Sequence, residues 1–171
     1  MQSNWKSSWS RMIQEWRGNF LAEKIESKVK NSIHKFDEKN VWVNSEKLYE
    51  VCKLLKNDPL FEFDLLNSLT SVDYIDHFEI VYHFTSISYR SSCIIKCKVG
   101  YGRNNPKVDS VVDLWRGADY QEREIWDLMG IKFLGHPNLK RIMLWDGFPG
   151  HPLRKDFVTY DQSIVSSKGD E

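Results

Sequence analysis

Acidic, basic and imidazole side chains crowd one stretch of this sequence. From Asp119 to Phe157 it carries Glu122, Arg123, Glu124 and Asp127, then His136, Arg141, His151, Arg154, Lys155 and Asp156. Carboxylates and imidazoles are the materials of acid–base chemistry, in which Glu122 or Glu124 would work with His136. Such a pair needs a cleft and a carboxyl group shifted upward by its surroundings. Glutamates in the first turns of an exposed helix have little reason for that shift. No G-x-S-x-G elbow, Walker loop or dinucleotide fingerprint is present. A standalone Glu/His hydrolase is therefore the remote alternative. Cys93 and Cys97 lie four apart on a predicted strand, so both point to one face. With Cys52 on a helix, they lack the clustered ligands of zinc or iron–sulfur centres and read as buried, inert thiols.

The first half of the charged stretch explains its own acids. Asp119 followed by Glu122 reads as a capping box, and Glu122 and Glu124 suit the positive end of a helix dipole. Arg123 and Asp127 are four apart and positioned to pair. Ile125, Leu128 and Met129 form an apolar stripe, and Gly130 suits the left-handed residue that stops a helix. The second half has no such account. Pro137, Pro149 and Pro152 exclude regular structure, while Ile142, Met143, Leu144, Trp145 and Phe148 are too apolar for a free tail. The segment must be held on its own domain or on another protein. Arg141, Arg154 and Lys155 suit carboxylate pairing at an interface.

The elements that position this stretch are legible in outline. Trp5, Trp9, Met12, Ile13, Trp16 and Phe20 recur at helical spacing, with Gly18 and Asn19 weakening that helix near its end. Its tryptophan face packs on the domain or docks on a partner or membrane interface. A second helix is expected over Leu21 to Ile33. Val41 to Val43 reads as a strand. Ser45 caps a helix to about Leu55, with Leu48, Val51, Cys52, Leu54 and Leu55 inward, and Asn57-Asp58-Pro59 ends it. Phe61 to Leu65 alternates as a strand should. Phe78 to Phe84 and Cys93 to Val99 are further strands around a polar turn from Thr85 to Ser92. Gly100 to Lys107 reads as a loop. The pattern predicts an α+β fold: a mixed or antiparallel sheet with helices packed on it and a long irregular C-terminal tail. Its expected division is a helical extension at 1–39, an α/β domain at 40–134 and a partner-binding tail at 135–171.

Composition narrows the function class. With 171 residues and 41% hydrophobic content, the chain can bury a core without metals or disulfides. Lys plus Arg is 24 and Asp plus Glu is 24, so no global basic field draws nucleic acid. No apolar run approaches the roughly 18 residues of a spanning helix, so membrane contact is expected to be indirect. Three cysteines argue against a secreted disulfide scaffold, and no secretory signal is visible. The Ser-rich start, with Lys6 and Arg11, has a faint presequence character that Glu15, Glu23 and Glu26 soon interrupt.

Two ordered motifs then carry a resemblance. E-R-E-I-W-D-L-M-G-I-K-F-L-G-H-P-N-L-K-R-I, Glu122 to Ile142, and G-H-P-L-R-K-D-F, Gly150 to Phe157, resemble the signatures of the small hydrophilic C-type subunit of respiratory complex I, the proton-pumping NADH:quinone oxidoreductase. The matching positions are Glu122, Arg123, Glu124, Asp127, Leu128, Met129, His136, Arg141 and Ile142. The resemblance implies an α/β domain that binds no redox cofactor and performs no catalysis itself. It implies a place in the peripheral arm against the quinone-site subunit, which is related to hydrogenase large subunits, with FMN, iron–sulfur clusters and quinone on partners. An equivalent subunit of a dehydrogenase fed by another donor, or of an energy-converting hydrogenase, is the alternative. The expected location is the cytoplasmic side of a bacterial membrane, with the mitochondrial matrix side and the plastid stromal side as alternatives. The ten charged and imidazole residues named at the outset are then motif and interface positions.

Overall fold

The computed structural model describes residues 13–158. Strand β1 (Gln14–Glu15) leads into helix α1 (Gly18–Lys28), then β2 (Ile33–Phe36) and β3 (Asn40–Val43). A short 3-10 turn, Ser45–Lys47, runs into α2 (Leu48–Asn57), followed by β4 (Leu65–Asp73), β5 (Phe78–Ser86) and β6 (Ser91–Val99). The remainder is β7 (Lys107–Asp109), α3 (Ala118–Met129) and β8 (Lys132–Leu134). The main sheet runs β2-β3-β6-β5-β4, and β7 pairs with β8 in a second, parallel pair. Strands β1 and β3 both lie parallel to β6, at Ser91–Ser92 and Ile94–Cys97 respectively, so the sheet is mixed.

Strict alternation along β6, and the register of β5 against it, decide which residues fill the core face. Ile80 pairs with Cys97, Tyr82 with Ile95 and Phe84 with Cys93, all buried on one face. Helix α2 covers that face with Leu48, Val51, Cys52 and Leu55, and α1 adds Leu21, Ala22 and Ile25. All three cysteines are buried and free, and burial raises their thiol pKa, so they pack as small apolar groups. The opposite face presents Glu79, Lys96 and Trp42, the indole N–H donating to Glu79 at 2.6 Å.

Several sequence expectations require correction. The helix expected through Phe20 is not formed over residues 13–17: Gln14–Glu15 is a strand, and residues 1–12 lie outside the described residues. Trp16 packs on Phe20 and Phe61, each at 5.4 Å, and Gly18 starts a helix instead of weakening one. Helix α1 stops at Lys28, short of Ile33, because Glu26 turns back to accept the amides of Asn31, Ser32 and Ile33 at 2.6, 3.1 and 3.1 Å. That turn starts β2 within the span expected to be helical. Ser45 makes no side-chain cap. Phe61 to Leu65 is not a strand: Glu62 has φ 42, and the Phe61 and Glu62 amides both donate to the Asp58 carbonyl, at 2.9 and 3.1 Å, in a turn after α2. The strand begins at Leu65 and runs through the polar sequence Leu65–Asp73.

Gly18 allows the chain to enter α1 close against the β2–β3 turn. A Cβ there would lie 2.3 Å from the Asp37 carbonyl oxygen and 2.8 Å from that of Asn40. Gly18→Ala should therefore lower unfolding stability by about 1–3 kcal/mol, measured by urea denaturation, despite alanine's better helix propensity.

Candidate functional site

Helix α3 gathers most of the charged residues singled out from the sequence. It starts at Gly117 without a side-chain cap, so the expected Asp119 capping box is not formed. Asp119 instead offers its backbone oxygen to His136 Nε2 at 3.3 Å. His136 Nδ1 accepts the amide of Asn138 at 3.0 Å, which assigns the proton to Nε2. The helix ends as expected, at a left-handed Gly130 with φ 75.

Glu122 is fully buried, contrary to its expected place on an exposed first turn. Its carboxyl meets Ser110 Oγ at 2.6 Å and the Val111 amide at 2.8 Å, tying α3 to the chain leaving β7. Burial pushes its pKa up to about 7; these two contacts act against the rise, while Asp119 and Asp113 add to it. The expectation of an unshifted carboxyl is thus overturned, but no acid–base pair results. Glu122 and His136 bond to different groups, and Glu124 is exposed.

Asp127 is also fully buried, and its surroundings act in the opposite sense. One oxygen accepts three successive amides, Ile142, Met143 and Leu144, at 3.0, 2.9 and 3.0 Å. The other accepts Arg141 Nη1 at 2.5 Å. Burial alone would raise its pKa, but the amides of Leu144, Met143 and Ile142 and the Arg141 guanidinium hold it below the usual carboxylate value. The expected Arg123–Asp127 pair is not formed. Arg123 donates to the Lys140 and Arg141 backbone oxygens at 3.2 and 3.5 Å, and the cation beside Asp127 is Arg141.

The same helix end receives the tail a second time. His151 Nδ1 donates to the Asp127 backbone oxygen at 2.9 Å, and the Leu153 amide donates to that of Leu128 at 3.1 Å. Arg141 Nη2 also donates to the Phe148 and Gly150 oxygens, at 2.9 and 3.3 Å. The carbonyls that a helix terminus leaves open are thereby filled from downstream.

A second anchor rests on two residues that the sequence does not single out, Asp73 and Arg103. Asp73, at the end of β4, receives Arg103 bidentately at 2.7 and 2.7 Å, and the Lys155 amide at 2.8 Å. Arg103 also holds Asp156 at 3.0 and 2.8 Å, and Arg154 Nη2 donates to the Arg103 backbone oxygen at 2.9 Å. Burial would raise the Asp73 pKa, but Arg103 and the Lys155 and Ile75 amides bring it down to about 2. No local signal marks Asp73, whose polar strand lacks a clear apolar alternation, and Arg103 sits in what reads as a plain loop. Lys155 acts here through its backbone.

Between the two anchors, Phe148 stacks on Phe157 at 5.9 Å and meets Trp145 edge-on at 4.6 Å. Met143 and Trp145 remain 62% and 64% exposed, and Leu153 is exposed as well. Among the described residues, no group of three or more His, Cys, Asp or Glu converges as a metal site. Nor is any described helix long and apolar enough to cross a membrane.

Fold and site together define an α+β domain whose buried carboxylates organise its own C-terminal segment and leave apolar side chains outward. The chain belongs to the family of the respiratory-chain NADH dehydrogenase 30 kDa subunit, whose profile matches residues 41–163. It is 44% identical over 118 residues to the second C-type subunit of the NADH-quinone oxidoreductase of Rhizobium etli, an alignment covering 67% of this chain and 62% of that relative. The corresponding C-type subunit of a Roseiflexus species is 44% identical over 120 residues, covering 68% of each. The chain thus spans less than two thirds of the Rhizobium relative's length. The solved trypsin-resistant fragment (1–134) of Nqo5 aligns with TM-score 0.57 and 27% identity, covering 71% of this chain and 98% of the fragment. A chain of an archaeal membrane-bound sulfane sulfur reductase shares the fold, with TM-score 0.66 at 21% identity over 88% of this chain and 90% of that one.

The two buried carboxylates should leave opposite marks on stability against pH. Glu122 has a raised folded value, so folding binds more protons than unfolding between its ordinary 4.5 and about 7. Stability should fall across that window by on the order of 3 kcal/mol, and Glu122→Gln should flatten the fall in urea titrations. Asp127 and Asp73 have depressed values, so their stabilisation is present above the ordinary carboxylate value near 3.8 and lost as pH drops through the folded values. Asp127→Asn should cost about 3–5 kcal/mol at neutral pH and open residues 141–157 to limited proteolysis.

Proposed function

We propose that this chain is a non-catalytic structural subunit in the peripheral arm of a proton-translocating NADH:quinone oxidoreductase. Its C-terminal segment docks on the quinone-site subunit, the one related to hydrogenase large subunits. Electrons pass from NADH to quinone through FMN and iron–sulfur clusters held by partner chains, and membrane contact is indirect, on the cytoplasmic side of a bacterial membrane. Family membership and relatives named as C-type subunits of NADH-quinone oxidoreductases support this reading.

The observation that carries the docking role is the way the segment from 141 to 157 is held. Its amides at 142–144 and 155 and the Arg141 and Arg154 guanidinium groups bond to Asp127, Asp73 and the Arg103 backbone, while Met143, Trp145 and Leu153 are exposed. A segment ordered through its polar groups and exposed through its apolar ones presents a pre-organised surface, which lowers the entropy cost of association. Exposed tryptophan and methionine are the residue types enriched in interface cores.

Trp145→Asp should leave the melting temperature of the chain within about 2 °C, because surface changes of this kind rarely exceed 0.5 kcal/mol. It should abolish incorporation into the complex, read by native gel and by NADH-to-quinone activity of the membranes. Normal incorporation of the variant would defeat the docking role. Arg154→Ala should also lower incorporation, here with a loss of stability, since Arg154 holds the Arg103 backbone.

A further inference from the structure

The turn between β4 and β5 sets an isoleucine where isoleucine fits poorly. Ile75 has φ 62, a left-handed conformation that β-branched residues strongly disfavour. Its side chain is 66% exposed, so packing within this chain gives little compensation. The conformation is imposed from beneath. The Ile75 amide donates to Asp73 Oδ1 at 2.9 Å, and its carbonyl accepts Arg103 Nη1 at 3.0 Å. The Gly102 amide donates to the Asp76 carbonyl at 2.9 Å, joining the turn to the loop after β6.

The flanks of Ile75 are aromatic. The buried His77 ring stacks between Tyr74 at 5.1 Å and Tyr101 at 6.3 Å, and both tyrosines are exposed, Tyr101 by 72%. Beside them the Asp76 carboxylate projects into solvent, 2.9 Å from His77 Nδ1. Three large side chains thus stand on a hydrogen-bonded base, and tyrosine at such a place is characteristic of binding hot spots. The base is shared with the tail. The Asp73–Arg103 pair that fixes Ile75 also holds the Lys155 amide and the Asp156 carboxylate. Turn and tail end are thus joined through one set of bonds.

We propose that Ile75, flanked by Tyr74 and Tyr101, is a docking knob that seats in an apolar pocket on the subunit that receives the tail, with a basic side chain of that pocket opposite Asp76. This rests on the docking role given above for the tail, and adds a second, separate contact to it. Local strain persists where the surroundings over-determine it and where function uses the result. Here the result is an apolar side chain already fixed in the geometry in which it is buried on binding.

The test is affinity capture of the co-expressed quinone-site subunit by the full chain, using Ile75→Gly and Ile75→Asn. Glycine and asparagine both accept the left-handed conformation, so both variants should melt at or above the temperature of the parent chain. Capture should nevertheless fall at least tenfold for each. Capture unchanged in both variants overturns the knob. Trp145→Asp, run in parallel, separates the two ideas. Loss of capture in that variant with full capture in the Ile75 variants leaves the tail reading standing and the knob refuted. Full capture in all three refutes both. Should Ile75→Gly melt lower than the parent, Ile75→Asn decides, because it keeps a side chain of similar length while removing the apolar contact.

Discussion

A carboxylate buried in a folded protein must find donors, and for Asp127 the donors lie downstream in the chain. The helix presents Asp127 on its inner side, where water is excluded. Three consecutive amides and a guanidinium meet the need, and every one comes from residues 141–144. Satisfying the charge therefore fixes the backbone path of the tail, and that path sets where Arg141, His151 and Leu153 fall. Those residues then fill the open carbonyls at the helix end. The irregular segment is ordered without a ladder of its own, because α3 supplies its acceptors.

Glu122 and Asp127 show how environment separates two acids on one helix. Both are fully buried. Asp127 has a guanidinium and three amides, which outweigh desolvation. Glu122 has one amide and one hydroxyl, and Asp119 and Asp113 oppose its charge. The Ser110 hydroxyl and the Val111 amide both donate to the carboxyl, and together they do not offset its burial. Asp127 thus holds the tail from a site that lowers its pKa, and Glu122 joins α3 to β7 from a site that raises its own.

Much of the core was legible in the sequence. The strands expected at Phe78 to Phe84 and Cys93 to Val99 lie within β5 and β6, and Gly130 marked the end of α3. Two kinds of feature were hidden. Reversals set by a single side chain, such as Glu26 capturing Asn31 to Ile33, break a helical pattern without a proline or glycine to announce it. Polar strands such as β4 lack the apolar alternation that marks a half-buried strand. The site was legible in composition and not in pairing. Arg123 and Asp127 sit at helical spacing yet turn to different partners, because the returning tail outcompetes a local ion pair. Asp73 and Arg103 carried no signal at all, their pairing being a consequence of the fold.

The separation of 82 in sequence from Asp73 to Lys155 has a consequence for how the chain is made. Synthesis runs from the N-terminus at about 5–20 residues per second, so the Asp73 carboxylate waits roughly 4–16 s for the amide that completes its shell. Asp127 likewise precedes its donors at 141–144. The nascent polypeptide therefore passes through a stage in which the sheet can close while Asp127 lacks its amide donors and Asp73 lacks that of Lys155. The bonds of the tail to Asp127 and Asp73 are therefore the last that the chain can acquire, after the sheet and α3 have been synthesised.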